Sequence, residues 1–516
     1  MEQEMMICPE HRDSKSRAVH YCLAIFLLAI VYLHLYGLIS LSVQVSCLIL
    51  MISDVLLFAV TLVCALLSGA KPNLLAILSL LLGVVSAMCA YLNGAFFDTQ
   101  VIYFFVLILS YGLFVLALFD NHSHSFSGFA FFLDAIKAVF VYPFISFASI
   151  FTLFFHGRKT RSKDAVKKIL FALIGVGAAV VLGVAVILIL SYDPKFRDLF
   201  RIEIDWDDLP IIILRVFLTV PVCALIFGAF RSSENKRVPN MSTKKTAETL
   251  REKIRRVPPV VFLIPTVTLL VIYGLFFFTQ WDVYMSAFSG VLPASYTYAE
   301  YARSGFFELC VVAFINAAFC TAYQVFAKDT LTELRKIANT LLALATLVLI
   351  ATALSKMILY IRSYDLTVLR LFTSVVMIVI AIGFLLSILA QWIKRVKVFP
   401  VLLTVVAALL LIAPFLNVRG RIAKYNVDAY IARAEQQVKP NKIDLYYLMF
   451  ELDDAGVPDA IRLLESGKLS ESDVKELYEI LEERYRNLKE LEPRYHTLAS
   501  RRALNALEDF FNRIKN

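Results

Sequence analysis

The sequence predicts an all-α protein, in which a polytopic bundle of transmembrane helices is followed by a C-terminal α-helical domain outside the membrane. Of the 516 residues, 59% are hydrophobic and only 18% are charged, which is too little polar surface for a soluble globule. Apolar blocks of about 20 residues, the length that crosses a bilayer, recur from residue 18 to residue 416. After Leu416 the composition changes abruptly to charged residues.

Hydropathy predicts about eleven transmembrane spans, or twelve if one further stretch also crosses. The candidate spans are 18–39, 43–67, 73–96, 101–119, 168–191, 209–230, 259–280, 305–327, 337–361, 366–392 and 398–416. The further stretch is 126–155, which is long enough to cross but carries Asp134, Lys137 and Pro143. We expect this stretch to lie along the membrane interface or to re-enter on the same side.

The positions of Lys and Arg orient these spans. Basic residues cluster in the short loops at 158–168, 231–256, 328–336 and 394–397, and basic loops stay in the cytoplasm. With eleven spans every one of these loops, and the N-terminal segment, falls on the cytoplasmic side. The odd count then places the C-terminal domain outside the cytoplasm.

The resulting organisation has five parts. They are a cytoplasmic N-terminal segment (1–17), a first group of transmembrane helices (18–125), an interfacial or re-entrant amphipathic helix (126–157), a transmembrane core (158–416) and the extracytoplasmic helical domain (417–516).

The C-terminal domain has the pattern of an antiparallel helical hairpin packed on residues 427–466. Ser470 and Asp473 form a capping pattern, and a leucine-rich seam follows in steps of three and four residues, interrupted by Arg484. Pro493 ends this helix, and a last helix is predicted over about 496–513.

Ionisable side chains within spans are costly, so each is a candidate functional residue. Five stand out: Asp54, Arg215, Glu308, Lys356 and Arg370. Three interpretations remain open at this stage. The charges pair to hold helices together, or they line a polar cavity for an anionic group such as a phosphate, or Glu308 or Asp54 carries protons.

Recognisable catalytic chemistry is absent from the sequence. There is no phosphate-binding loop, no HExxH and no GxSxG, so the catalytic residues are unknown and an enzyme is the less favoured class. The eight cysteines stand singly, which predicts neither a metal site nor a disulfide framework. The net charge of +9 is distributed over loops, so we expect no nucleic-acid partner. Because the sequence has no nucleotide-binding fingerprint and no Cys-His cluster, we expect no cofactor.

A specific sequence signature lies at 297–309, and supporting segments lie at 192–196, 360–367, 425–427, 444–448 and 454–458. Together these segments resemble an uncharacterised family of bacterial polytopic membrane proteins, DUF4173, which is related to DUF4153. The family usually has no glycine at the position of Gly456. The resemblance implies a bacterial cell-membrane protein and supplies no activity.

The same segments map to the predicted external ends of spans. They suggest a substrate-binding site formed by Glu300, Arg303, Glu308, Arg362, Asp365 and Arg370, in which Glu308 and Arg370 converge, with Asp54, Arg215 and Lys356 as further intramembrane charges. A charged site at the external ends of the spans predicts a transport or envelope protein that binds an anion from outside. The alternatives are a non-enzymatic scaffold or sensor that binds a protein through the C-terminal domain, and a membrane-embedded transferase. Membrane lipids are the expected partners in every case, and the oligomeric state stays open.

Overall fold

The architecture was analysed in a computed structural model. The structure describes residues 9–39, 46–93, 97–122, 128–155, 209–236, 254–279, 281, 306–328, 330–393, 395–436, 442–492 and 495–515. Within these ranges the chain is helical and forms no strand beyond one isolated bridge between Val257 and Ala327. The predicted all-α class is confirmed.

The described residues divide into two compact units. Unit 1 comprises residues 1–122, 132–240 and 490–501, and unit 2 comprises residues 123–131, 241–489 and 502–516.

Long apolar helices build unit 1. They are α1 (Pro9–Leu38), α2 (Cys47–Leu67), α3 (Leu74–Asn93), α4 (Phe97–Leu118), α5 (Gly128–Ile136, which begins in unit 2), α6 (Tyr142–Ile145), α7 (Ser149–Phe155) and α8 (Leu209–Glu234). Their shared core contains Phe58, Phe114, Phe227 and Phe230, each with at most 1% of its surface exposed. Gly83 lets α3 approach α2, because a Cβ at Gly83 would lie 2.1 Å from the Phe58 ring.

The ambiguous stretch 126–155 is a broken helix. A π-helical turn, Lys137–Val141, joins α5 to α6, and a turn at 146–148 separates α6 from α7. The Ser232 hydroxyl donates to the Ser146 hydroxyl at 2.8 Å, and the Tyr21 hydroxyl donates to the Leu153 carbonyl at 2.7 Å. Both donors lie at one end of unit 1, so residues 146–153 stay near that end. The stretch is nevertheless long and apolar enough to cross, and its interfacial placement stays a prediction.

Unit 2 contains the second group of spanning helices and most of the C-terminal domain. The helices are α9 (Val260–Thr279), α10 (Phe306–Phe326), α11 (Thr332–Tyr364), α12 (Val368–Trp392), α13 (Val398–Ile412), α14 (Val418–Glu435), α15 (Val457–Glu465), α16 (Glu471–Glu490) and α17 (Leu498–Lys515, whose first residues belong to unit 1). A 3-10 turn, Ala413–Leu416, extends α13, and a π-helical turn, Tyr447–Glu451, precedes α15.

Ten helices among the described residues are long and apolar enough to cross a membrane. This supports the membrane-embedded class, although the count differs from the predicted one for three identifiable reasons. The stretch Phe131–Phe154 is included, the third span is represented by the shorter apolar helix Leu74–Cys89, and the predicted span 168–191 lies outside the described residues.

The C-terminal helices pack largely as their pattern predicts. Leu477, Leu481 and Leu488 are buried on α16, and Phe511 of α17 packs its ring against Tyr478 and Tyr485 at 5.8 and 5.2 Å. Val474, at the start of the seam, is 37% exposed.

Gly456 lies where a side chain has no room. A Cβ at this position would lie 2.2 Å from the carbonyl oxygen of Leu448, a distance that real side chains do not reach. The glycine therefore lets α15 start directly against the π-helical turn.

Arg484 interrupts the leucine seam because it serves two carboxylates. Its guanidinium pairs with Asp453 and lies 3.3 Å from Asp454. The pKa of Asp454 is raised to about 7, mainly by burial and then by the neighbouring charge of Asp453, against the lowering effect of Arg484. In the folded protein this carboxyl therefore binds its proton more tightly than in the unfolded chain.

We predict that Asp454 makes the C-terminal domain less stable as the pH rises. Because its folded pKa lies above the unfolded value of about 3.9, its contribution is fully present below about pH 4 and is lost as the pH rises through about 7. In thermal unfolding of the full-length protein in detergent, Asp454→Asn should raise the Tm at pH 8 and have little effect near pH 4. Glu479→Gln, which changes an exposed carboxylate of α16, is the control. Equal effects of Asp454→Asn at both pH values would contradict this.

Candidate functional site

The turn between α11 and α12, Asp365–Thr367, is the centre of the candidate site. Asp365 has φ 62° and ψ 172°, a conformation that is strained for any residue with a side chain. Such a conformation costs about 1–3 kcal/mol and persists only where surrounding contacts impose it. The contacts that impose it come from both spanning helices and from the C-terminal domain.

Arg370 closes the turn from the side of α12. Its guanidinium donates to the carbonyl of Tyr364 at 2.6 Å and also to the carbonyl of Asp365. The same group lies over the ring of Tyr360, 4.1 Å from the centroid. A cation at the C-terminal end of α11 is favourable, because the last carbonyls of a helix carry partial negative charge.

Three side chains of the C-terminal domain hold the turn from the other side, and we call Asn426, Arg433 and Tyr447 the clasp. The Asn426 amide accepts from the Leu366 N–H at 2.8 Å and donates to the Leu366 carbonyl at 2.9 Å. The Tyr447 hydroxyl accepts from the Val368 N–H at 2.7 Å, and Arg433 pairs with the Asp365 carboxylate at 2.8 Å. The clasp fixes the domain to the end of two spans.

Burial influences the ionisable groups at this contact. It raises the pKa of Asp365, while the Arg433 and Arg370 charges oppose that rise. Burial also raises the pKa of Tyr447, whose hydroxyl therefore stays protonated. The ion pair between Arg433 and Asp365 is partly buried, with 22% and 17% of the side chains exposed, so solvent screens it less than a surface pair.

Lys356 and Glu308 occupy the same end of unit 2. Lys356 is 7% exposed on α11, and its charge interacts with that of Glu308 near the start of α10. Lys356 lies nine positions before Asp365 on α11, which places it about 13 Å from the turn along the helix axis. A buried charge at that depth is an expensive feature, which makes it a strong functional candidate.

The remaining predicted site residues have different outcomes. Glu300 and Arg303 lie outside the described residues, and Arg362 is exposed near the end of α11. The contacts of the described residues do not include the predicted pair between Glu308 and Arg370, because Arg370 is engaged by backbone carbonyls and Tyr360. Whether these residues bind one anion stays a prediction.

The intramembrane charges of unit 1 form separate contacts. Asp54 pairs with His34 at 2.9 Å, and Arg215 binds the carbonyl of Ile39, at 2.9 Å through Nε, and covers the ring of Tyr36. His20 pairs with Glu234 at 2.9 Å. His20 and His34 of α1 thus pair with two different carboxylates.

Other polar contacts were not expected from the sequence. In unit 2 the Tyr273 hydroxyl donates to Asn316, and Asn316 donates to Thr346, both at 2.9 Å. The clasp residues were also missed as individuals, although Asn426 and Tyr447 lie in segments that carry the family resemblance. Among the described residues, no group of three or more metal-ligating side chains occurs.

Comparison with known families identifies the chain. A family model described as Domain of unknown function (DUF4153) matches residues 76–463, which is more than half of the sequence. The chain belongs to this family. The match is to DUF4153, the related group, whereas the nearer resemblance to DUF4173 is not shown. Searches of curated proteins and of solved structures found no match. The match includes Asn426, Arg433 and Tyr447, so the clasp lies within the family domain.

We predict that Asn426→Leu opens the turn. The substitution removes both hydrogen bonds to Leu366, and leaving buried backbone groups unpaired costs about 1–3 kcal/mol each. Hydrogen exchange measured by mass spectrometry should be at least about tenfold faster over residues 365–368. Asn487→Leu, on the exposed face of α16, is the matched control and should leave exchange at the turn unchanged. Unchanged exchange in Asn426→Leu would contradict the importance of the clasp.

Proposed function

We propose that this protein is a cell-membrane transport protein that binds an anionic, phosphate-containing substrate at the end of unit 2 that holds the clasp. The observation that supports this most is Lys356, a lysine buried within a candidate spanning helix, whose charge interacts with that of Glu308. Intramembrane ionisable residues of this kind commonly mark substrate or ion pathways.

The charge balance at this end favours an anion. Five cations, Lys356, Arg362, Arg370, Arg419 and Arg433, belong to the region, compared with the four carboxylates of Glu308, Asp365, Asp444 and Glu451. Arg433 neutralises Asp365, and Glu308 offsets one further cation. A net positive charge attracts phosphate, and the attraction is stronger at the buried Lys356 than at an exposed cation because burial lowers the local dielectric.

The sidedness is part of the proposal. The basic loops at 231–256 and 394–397 favour a cytoplasmic location for the opposite ends of the spans, and the family resemblance favours a bacterial membrane. On this basis the anion site and the C-terminal domain are extracytoplasmic, and the substrate comes from the outer side, either free or attached to a lipid.

A second candidate function is a non-enzymatic sensor or scaffold, and the clasp itself supports it. A domain that holds a strained turn between two spans can pass a movement caused by a protein partner into the membrane helices. A sensor needs the clasp but has no requirement for an anion at Lys356. Phosphate binding therefore separates the two functions.

We predict that Lys356→Gln weakens phosphate binding by about tenfold, which corresponds to about 1.4 kcal/mol. The measurement is equilibrium binding of radiolabelled inorganic phosphate, and in parallel of a short-chain phosphatidic acid, to the full-length protein in nanodiscs. Lys336→Gln is the matched control, since Lys336 belongs to the same helix but pairs with the exposed Glu333.

The expected result is saturable binding to the unchanged protein and to Lys336→Gln, with reduced binding to Lys356→Gln. A preference for phosphatidic acid over inorganic phosphate would indicate a lipid-linked substrate. If neither probe binds the unchanged protein saturably, or if both lysine variants bind equally, the anion-transport proposal is wrong.

A further inference from the structure

The helical turn that begins at Leu445 and includes the π-helix Tyr447–Glu451 has two contrasting faces. Leu445, Leu448 and Met449 are buried in the C-terminal domain. On the opposite face Tyr446 and Phe450 are 65% and 51% exposed, and their rings lie 5.0 Å apart. An exposed pair of neighbouring aromatic rings on a charged helical domain is unusual in water, because it leaves a contiguous apolar surface uncovered.

Hydrogen bonds set the position of this turn relative to the membrane. The Tyr447 hydroxyl accepts from the N–H of Val368, the first residue of the candidate span α12. Arg419 donates to the carbonyl of Glu451, and Arg419 itself follows the candidate span Val398–Leu416 by three residues. The turn is therefore level with the ends of two spans.

The surroundings of the turn have the composition of a membrane interface. Phe415, Leu416 and Tyr425 are exposed near the end of the span, with 56%, 39% and 41% of their surfaces accessible. Arg421, Lys424 and Lys442 are exposed nearby in the sequence and add positive charge. Aromatic rings together with Lys and Arg at the level of the headgroups are what anchors membrane proteins at the bilayer surface.

We propose that Tyr446 and Phe450 insert into the lipid interface, so that the C-terminal domain lies on the bilayer surface at its clasp end. We call Tyr446 and Phe450 the aromatic patch. A lipid surface suits this patch better than a protein partner, because the hydrogen bonds to Val368 and Glu451 hold the two rings where the spans leave the membrane. Lys442, four residues before Tyr446, is an exposed cation that can contact an anionic headgroup, although the exposed carboxylates of Asp444 and Glu451 belong to the same segment. The proposal goes beyond the transport function and holds whether or not the protein binds phosphate.

The test uses the full-length protein in vesicles whose phospholipids carry brominated acyl chains, which quench tryptophan fluorescence on contact. Phe450→Trp adds a reporter to the patch, and the emission of the native Trp206, Trp281 and Trp392 is subtracted with the unsubstituted protein. The matched control is Ile514→Trp, which replaces an exposed apolar residue in the last turn of α17, 54% accessible.

Brominated lipid should quench the added fluorescence of Phe450→Trp several-fold more than that of Ile514→Trp, and aqueous iodide should show the opposite order. Tyr446→Trp, on the same face, provides a second reporter if Phe450→Trp does not fold. Quenching by brominated lipid that is equal to or weaker than that of Ile514→Trp overturns the proposal and indicates that the patch faces water or a protein.

Discussion

Two spanning helices end at the turn Asp365–Thr367, and the backbone amides and carbonyls left there need hydrogen-bond partners. A helix leaves its first N–H groups and its last carbonyls unpaired, and where protein buries these groups they need partners within the protein. Here protein side chains fill that need. Thr367 accepts from the N–H of Arg370, Tyr447 accepts from the N–H of Val368, and Asn426 binds both polar backbone atoms of Leu366.

This constraint links the C-terminal domain to the membrane part of unit 2. Because three clasp residues come from α14 and the π-helical turn, the domain cannot move away without exposing the polar backbone atoms of the turn. The same contacts keep Asp365 in its strained conformation and hold the aromatic patch at the level of the span ends. Anion binding at Lys356 and movement of the domain would therefore influence each other through α11 and the turn.

The sequence was sufficient for the features that depend on local composition. Long apolar runs predict spanning helices because the bilayer requires them, and the seam of Leu477, Leu481 and Leu488 predicts the buried face of α16. Which residue will be the partner of a given polar side chain is harder to predict. Asp365 and Arg433 are 68 residues apart, and no pattern in either segment specifies the pair.

The prediction for Arg370 shows the same limit. Charge pairing favoured Glu308 as its partner, whereas the contacts seen for its guanidinium are with two carbonyl groups at the end of α11, five and six residues away. Arg484 is a comparable case, since an arginine that interrupts an apolar seam contacts two acidic residues, Asp453 and Asp454. Pairing rules identify which groups need a partner, whereas the fold decides which partner is near.

The most direct measurement of the central claim is a double-mutant cycle between the turn and the clasp. Asp365→Asn keeps a residue that tolerates positive φ, and Arg433→Gln keeps most of the side-chain volume, so each removes the charge pair with little change of shape. Stability of the C-terminal domain against unfolding, followed by hydrogen exchange in the full-length protein, gives the coupling energy. The account predicts a coupling of about 1–3 kcal/mol. If the two substitutions are instead additive within about 0.5 kcal/mol, the clasp does not hold the turn and the account is contradicted.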